Sequence, residues 1–157
     1  MRNVFFAVLT AFYLTSILPA GAQDLKPTQW SAFGVSFKVP ADITIEEDSE
    51  EGYILSNDTY YVSVQILDGE AMDKKVMKKE IKHLADDDQL QEQTPVTSFN
   101  LPQFDGVQLK GVSEGEFYLY NYLMAKDESC ALFVSVIYKQ QDDSTPGNIV
   151  NSFRLDD

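Results

Sequence analysis

Two stretches near the C-terminus, EFYLYNYLMAK (116–126) and CALFVSVIYK (130–139), most restrict what this chain can become. In both, side chains alternate with period two, the repeat of a β-strand. The first places Phe117, Leu119 and Leu123 on one face and Tyr118, Tyr120, Tyr122 and Met124 on the other. The second is apolar on both sides, with Leu132, Val134 and Val136 opposite Phe133 and Ile137. Such a strand must lie inside a sheet that carries something packed over each face.

Shorter runs of the same kind precede them. GVSFKVP is a half-buried strand stopped at Pro40. ITIEE and GYILS are two more, joined through an acidic turn, and YYVSVQILD is a fourth, with Tyr60, Val62, Val64 and Ile66 on one face. QDLKPTQWS, residues 23–31, reads as a leader into the fold. From about Glu70 to Asp87 the pattern turns helical: Met72, Val76, Met77, Ile81, Leu84 and Ala85 recur at helical spacing, with five lysines on the other side. A solvated face accounts for those lysines more simply than a phosphate site. QEQTPVTSFNLPQFDG is a weak strand and loop, and VQLKGVSEG a stronger strand. DDSTPGNIVNSFRL reads as a terminal helix, capped by Ser144 or Thr145, with Pro146 in its first turn. The predicted class is α+β: a mostly antiparallel sheet with tight hairpins, flanked by helices in an α/β/α sandwich.

FGVSFKVPADI near the start, hairpins, one long helix, a second run of strands and a closing IVNSFRL together resemble the PsbP-like superfamily, DcrB-like envelope proteins among them. The resemblance spans residues 33–155 in layout. It implies the sandwich around an antiparallel sheet and a binding or accessory role rather than catalysis. It transfers no site residue.

The N-terminus reads as a signal peptide, residues 1–22: Arg2, the uncharged run VFFAVLTAFYLTSIL, then Ala20 and Ala22 at the spacing that a signal peptidase reads. The run is shorter than the roughly 20 residues that span a bilayer. Residues 23–157 then form one secreted or periplasmic domain, with no insertion into a membrane after cleavage. Cys130 is the only cysteine, so no disulfide can form within the chain, which points to a bacterial envelope more than to a disulfide-stapled extracellular module. The formal net charge is −13, and loss of Arg2 makes it more negative. Nucleic acid is a poor partner for such a surface, and a basic protein a permitted one.

His83, beside Asp86 and Asp87, is the feature most suggestive of chemistry. A metal needs three or four converging ligands, and the chain has no second histidine. Counted from Asp86 as a calcium loop, Gln91 stands where glycine is needed and Thr97 where glutamate is needed. The stretch is read as a solvated helix end, with no metal and no cofactor. Cys130 opens an apolar strand, which suits a buried thiol more than a nucleophile. No G-x-S-x-G, P-loop, H-E-x-x-H or C-x-x-C motif is present.

The binding candidates are therefore aromatic. Tyr118, Tyr120, Tyr122 and Met124 form one stripe, either a recognition surface or core beneath a helix. Trp30 is either an exposed anchor or a staple. The expected function is non-enzymatic protein binding, with another envelope protein as partner. The alternative is a small-ligand carrier whose pocket lies between sheet and helix, lined by those tyrosines and Met124.

Overall fold

The computed structural model describes residues 24–67 and 73–157. The predicted signal peptide, 1–22, lies outside the described residues, as do Glu70, Ala71 and Met72 at the predicted start of the long helix. Among the described residues no helix is long and apolar enough to cross a membrane.

Two antiparallel sheets and two helices make up the fold among the described residues. Leu25–Trp30 (β1), Val35–Pro40 (β2) and Arg154–Leu155 (β10) form a small sheet in the order β1-β2-β10. The large sheet is built from Thr44–Asp48 (β3), Tyr53–Ser56 (β4), Tyr61–Ile66 (β5), Thr97–Asn100 (β6), Phe104–Ser113 (β7), Glu116–Ala125 (β8) and Ala131–Tyr138 (β9). Its order is β3-β4-β5-β9-β8-β7-β6, so the strand that is apolar on both faces, β9, occupies the centre, as its composition demands.

One face of the large sheet packs on the small sheet and on helix α2 (Thr145–Asn151). Val62, Val64, Leu119, Leu123, Leu132, Val134 and Val136 point that way and meet Phe37, Val39, Ile149 and Phe153. The rings of Phe37 and Phe153 stack at 4.3 Å. Helix α1 (Lys74–Asp87) lies on the opposite face, capped by the Asp73 carboxylate, which accepts from the Val76 N–H at 2.9 Å. Its Met77, Ile81 and Ala85 pack on Val107, Leu109, Tyr120 and Tyr122. The predicted sandwich is the observed one, except that the layer opposite α1 is shared between α2 and a sheet.

Two segments differ from the reading of the sequence. The leader 23–31 contains an edge strand, β1, paired along its whole length with β2 from Leu25↔Pro40 to Trp30↔Val35. Its sequence, LKPTQW, hides this because an edge strand facing solvent needs no alternation and tolerates Pro27. The terminal helix stops at Asn151, and Arg154 and Leu155 turn back to pair with Ser36 and Val35. Ser144 holds the N-cap position of α2 without a side-chain cap bond, and Pro146 stands in the first turn.

Asn121 shows how register is pinned. It is fully buried on β8, donates to the Val134 carbonyl at 3.2 Å and accepts from Gln108 Nε2 at 2.9 Å, directly opposite it on β7. Asn121→Ala is expected to cost about 1–3 kcal/mol, because bonds made in a dry interior are lost without replacement by water. Urea unfolding of the two proteins measures it.

Candidate functional site

The aromatic stripe of β8 is divided. Tyr120 and Tyr122 are buried beneath α1, whereas Tyr118 and Met124 at the two ends are partly exposed. The cause is the length and position of the helix, which packs mainly on β7 and β8 in the large sheet, with Phe133 of β9 at the margin of the same cluster. Tyr120 and Phe133 meet edge to face at 5.2 Å, and Tyr122 and Phe133 at 5.5 Å. The stripe is therefore mostly core, and a binding surface made of all four residues is not what the fold presents. The same packing sets Met77, Ile81 and Ala85 against Tyr120 and Tyr122, where a tyrosine-lined pocket was expected.

Trp30 is also interior. It is fully buried, stacks on Tyr53 at 6.3 Å and donates from Nε1 to the Ser49 carbonyl at 2.8 Å. It acts as a staple that holds β1 against the turn after β3, which settles its two open readings against an exposed anchor.

At the end of α1, His83 and Asp87 approach to 3.4 Å with both side chains largely in solvent. Asp86 instead pairs with Lys82 at 2.8 Å, and hydrogen bonds from Lys82 and Gln93 hold its carboxyl below the usual carboxylate range. Asp88, the C-cap residue, does something the sequence did not reveal: the Tyr120 hydroxyl donates to its Oδ2 at 2.5 Å. This bond ties the helix end to β8. Among the described residues, no three of His, Cys, Asp or Glu are grouped so as to hold a metal ion. Burial pushes the Cys130 thiol pKa up, away from nucleophilic character.

Several phenols share the same direction. Burial, then hydrogen bonding to Asp143, raises Tyr60 to about 12, and burial followed by the bond to Asp88 raises Tyr120 further. Tyr122 and Tyr138 are raised chiefly by burial as well. A raised pKa here means that the folded state prefers the neutral phenol. Its contribution to stability is complete below the unfolded value near 10 and is lost as pH rises toward and beyond about 12. Stability to urea is therefore expected to fall steadily above pH 10, with absorbance at the phenolate band showing late-ionising tyrosines until the chain unfolds. Full ionisation near pH 10 in the folded protein would contradict this.

The half of the sheet beyond α1 was not singled out from the sequence, and it has no covering element among the described residues. Its rows follow from the register. Tyr118, Ile137 and Tyr61 lie abreast across β8, β9 and β5, and Ser135, Ser63 and Ile54 form the next row toward β4. Tyr61 keeps 37% of its surface exposed, and Ile54 and Ile137 are partly exposed. On the other side of the sheet, two adjoining depressions of about 350 and 130 Å³ share Lys110 and Tyr138. Phe117 and Gln141 line the larger, and Gln108, Asp143 and Pro146 the smaller.

A family model described as dihydro-orotase-like matches residues 5–142. The chain belongs to that family. No curated protein matches this dihydro-orotase-like chain in sequence. Solved structures do match its architecture. The Saccharomyces cerevisiae Ran-binding protein Mog1p is similar with a TM-score of 0.61 at 8% identity, over 87% of this chain and 97% of that one. A Bacteroides thetaiotaomicron protein is similar with a TM-score of 0.53 at 13% identity, over 86% of this chain and 49% of that one. At such identities the likeness is one of fold: the dihydro-orotase-like chain has a Mog1p/PsbP-like fold, the broad resemblance that its strand order suggested.

Proposed function

We propose that this chain is a non-catalytic protein-binding module that works outside the cytoplasm, probing its partner with the uncovered half of the large sheet. The observation that carries this is the half-covered face itself. Tyr61, Ile54 and Ile137 stand on a regular sheet surface with no described element over them, and surfaces of that kind on rigid sheets serve recognition. The fold also occurs in a protein whose name states that it binds Ran, an instance of this architecture used for protein binding. The leader-like N-terminus supports an envelope location, in keeping with the narrower resemblance to DcrB-like envelope proteins.

The test is affinity capture with the purified protein as bait in an extract of its own source. One saturable partner, lost when Tyr61 becomes lysine in a variant with an unchanged circular dichroism spectrum, is the expected result. Undiminished capture by Tyr61→Lys would move the site elsewhere, and no saturable partner would end the reading.

The family description favours a different class, an enzyme acting as a dihydro-orotase. Among the described residues no three of His, Cys, Asp or Glu are grouped to hold a metal ion, so that reading finds no donor set among them. Turnover of dihydro-orotate by the purified protein would overturn the non-catalytic proposal. A small-ligand carrier is the other alternative, relocated from beneath α1 to the groove of Lys110 and Tyr138. A ligand retained on purification and released by Tyr138→Ala would favour it.

A further inference from the structure

Resting on that protein-binding reading, we infer that the uncovered half-face is a berth for one basic, amphipathic helix of the partner, laid beside α1. Width comes first. The berth spans β9, β5 and β4, and strands about 4.8 Å apart give it roughly the 10–12 Å diameter of a helix. The adjoining strands β7 and β8 already carry a helix, α1, on the same face. The floor suits a helix too: small Ser135 and Ser63 lie between bulkier rows, Tyr61 and Ile137 to one side and Phe133 to the other.

Charge comes second, and it chooses the partner. Lys82 is turned away from the berth, since it reaches Gln93 at 2.6 Å on the segment that runs along the β7 edge, and Lys75 and Lys78 share its flank. On a helix of 3.6 residues per turn, the opposite flank is Val76, Glu80, His83, Leu84 and Asp87, with His83 beside Asp87 at 3.4 Å. With Lys82 held on the β7 side, that flank lies toward β8 and β9, and the electrostatic effect of Glu80 on the Tyr122 hydroxyl accords with this. Val76 is 43% exposed there and Leu84 partly so, giving an apolar and acidic wall. Glu116 shares the Tyr118 face of β8 at one end, and Glu114 and Asp88 add negative potential at the Tyr118 hydroxyl. Lys139 follows β9 at that end and is outnumbered by them. Across the berth, Glu46 accepts a hydrogen bond from Ser56. A second copy of this acidic chain would set like charges against each other, whereas arginine or lysine flanking an apolar helix face meets both the wall and the exposed rings.

The test uses a designed probe: a helical peptide about four turns long with leucine along one face and arginine on its flanks, against the same peptide with glutamate for arginine. Each is titrated into the purified protein while the methyl signals of Ile54 and Ile137 and the ring signals of Tyr61 are followed by NMR. The arginine peptide is expected to shift these signals saturably and to leave Ile45, on the other side of the sheet, unmoved. The glutamate peptide, or a Glu80→Gln and Glu116→Gln double variant with the arginine peptide, should bind about tenfold more weakly. Both carboxylates are exposed, so the variant keeps the fold. Equal binding of the two peptides, shifts centred on the lysine flank of α1, or no saturation would overturn the inference. A captured natural partner that survives Tyr61→Lys would refute this berth while leaving protein binding intact. Capture of nothing would refute protein binding itself, whatever the peptide does.

Discussion

Trp30→Ala is expected to lower the stability of the fold by about 3–5 kcal/mol, the range for removing a large aromatic side chain from a packed interior. Domains of this size hold together by about 5–15 kcal/mol, so much of the margin would go. Two losses add. The stacking partner of Tyr53 and the edge-to-face partner of Phe33, at 4.6 Å, disappear. The Ser49 carbonyl also loses its indole donor. Trp30 is the last residue of β1, and it bridges the small sheet to the turn that follows β3. Local damage should therefore spread to the edge of both sheets, with early amide exchange in β1 and in residues 49–52. Trp30→Phe, which keeps most of the apolar volume and lacks the N–H, should lose less than half as much. A change below about 1 kcal/mol for alanine would mean that β1 is not stapled as described.

Gly111→Val is expected to be the second large effect, and its contrast with Gly106 makes it informative. A side chain at Gly111 would begin 2.8 Å from Leu90 Cβ and 3.0 Å from its Cδ1, with the Gln91 carbonyl at 3.4 Å. Leu90 is buried just beyond the end of α1, and Gln91 is bridged to Val112 by backbone bonds of 2.8 Å in each direction. The Cβ of Leu90 is fixed to that backbone and cannot swing aside, so the chain that carries α1 onto the sheet must lift. Overpacking of this kind costs about 1–3 kcal/mol, and a β-branched residue should reach the upper part of that range. At Gly106 the clash is nominally closer, 2.4 Å, but it is with the tip of the Phe99 ring, which can rotate away toward solvent from a partly exposed edge strand. Gly106→Ala should cost less than Gly111→Ala in the same urea titration. The reverse order would show that the ring of Phe99, lying over a glycine on the neighbouring strand, is the more rigid of the two contacts.

The particular elements that were legible in the sequence share a physical property. Strands β5, β8 and β9 bury one or both faces, so selection for packing writes itself into period-two alternation, and α1 buries one face and shows a helical stripe. What was not legible depends on contacts made through the backbone or across long separations. Strand β1 is held by its pairing to β2, and β10 by two residues pairing with Ser36 and Val35, with Asp156 accepting from Ser36 and Gln29. Neither leaves a periodic trace. Asp88 looked like one more solvated acid because its partner, Tyr120, is 32 residues away.

The candidate site was hidden for a related reason. Alternation shows that Tyr118, Tyr120, Tyr122 and Met124 share a face, but only the lateral position of α1 decides which of them is covered. The helix settles on β7 and β8, and so the residues left open are Tyr61 on β5, Ile54 on β4 and Ile137 on β9. One sign of this was present in the sequence. Residues Tyr61, Ser63 and Gln65 form the polar side of β5, and an aromatic ring stands among them where a solvated strand face would carry charge.

The most direct test of the central claim is an oxidative footprint of the purified protein, alone and in its captured complex. The uncovered half-face account predicts protection at Tyr61, Tyr118 and Ile137, with Phe117 in the Lys110 groove and Lys75 and Lys78 on the lysine flank of α1 unchanged. Protection at the groove, or on the lysine flank of α1, with Tyr61 left as reactive as in the free protein, would contradict it.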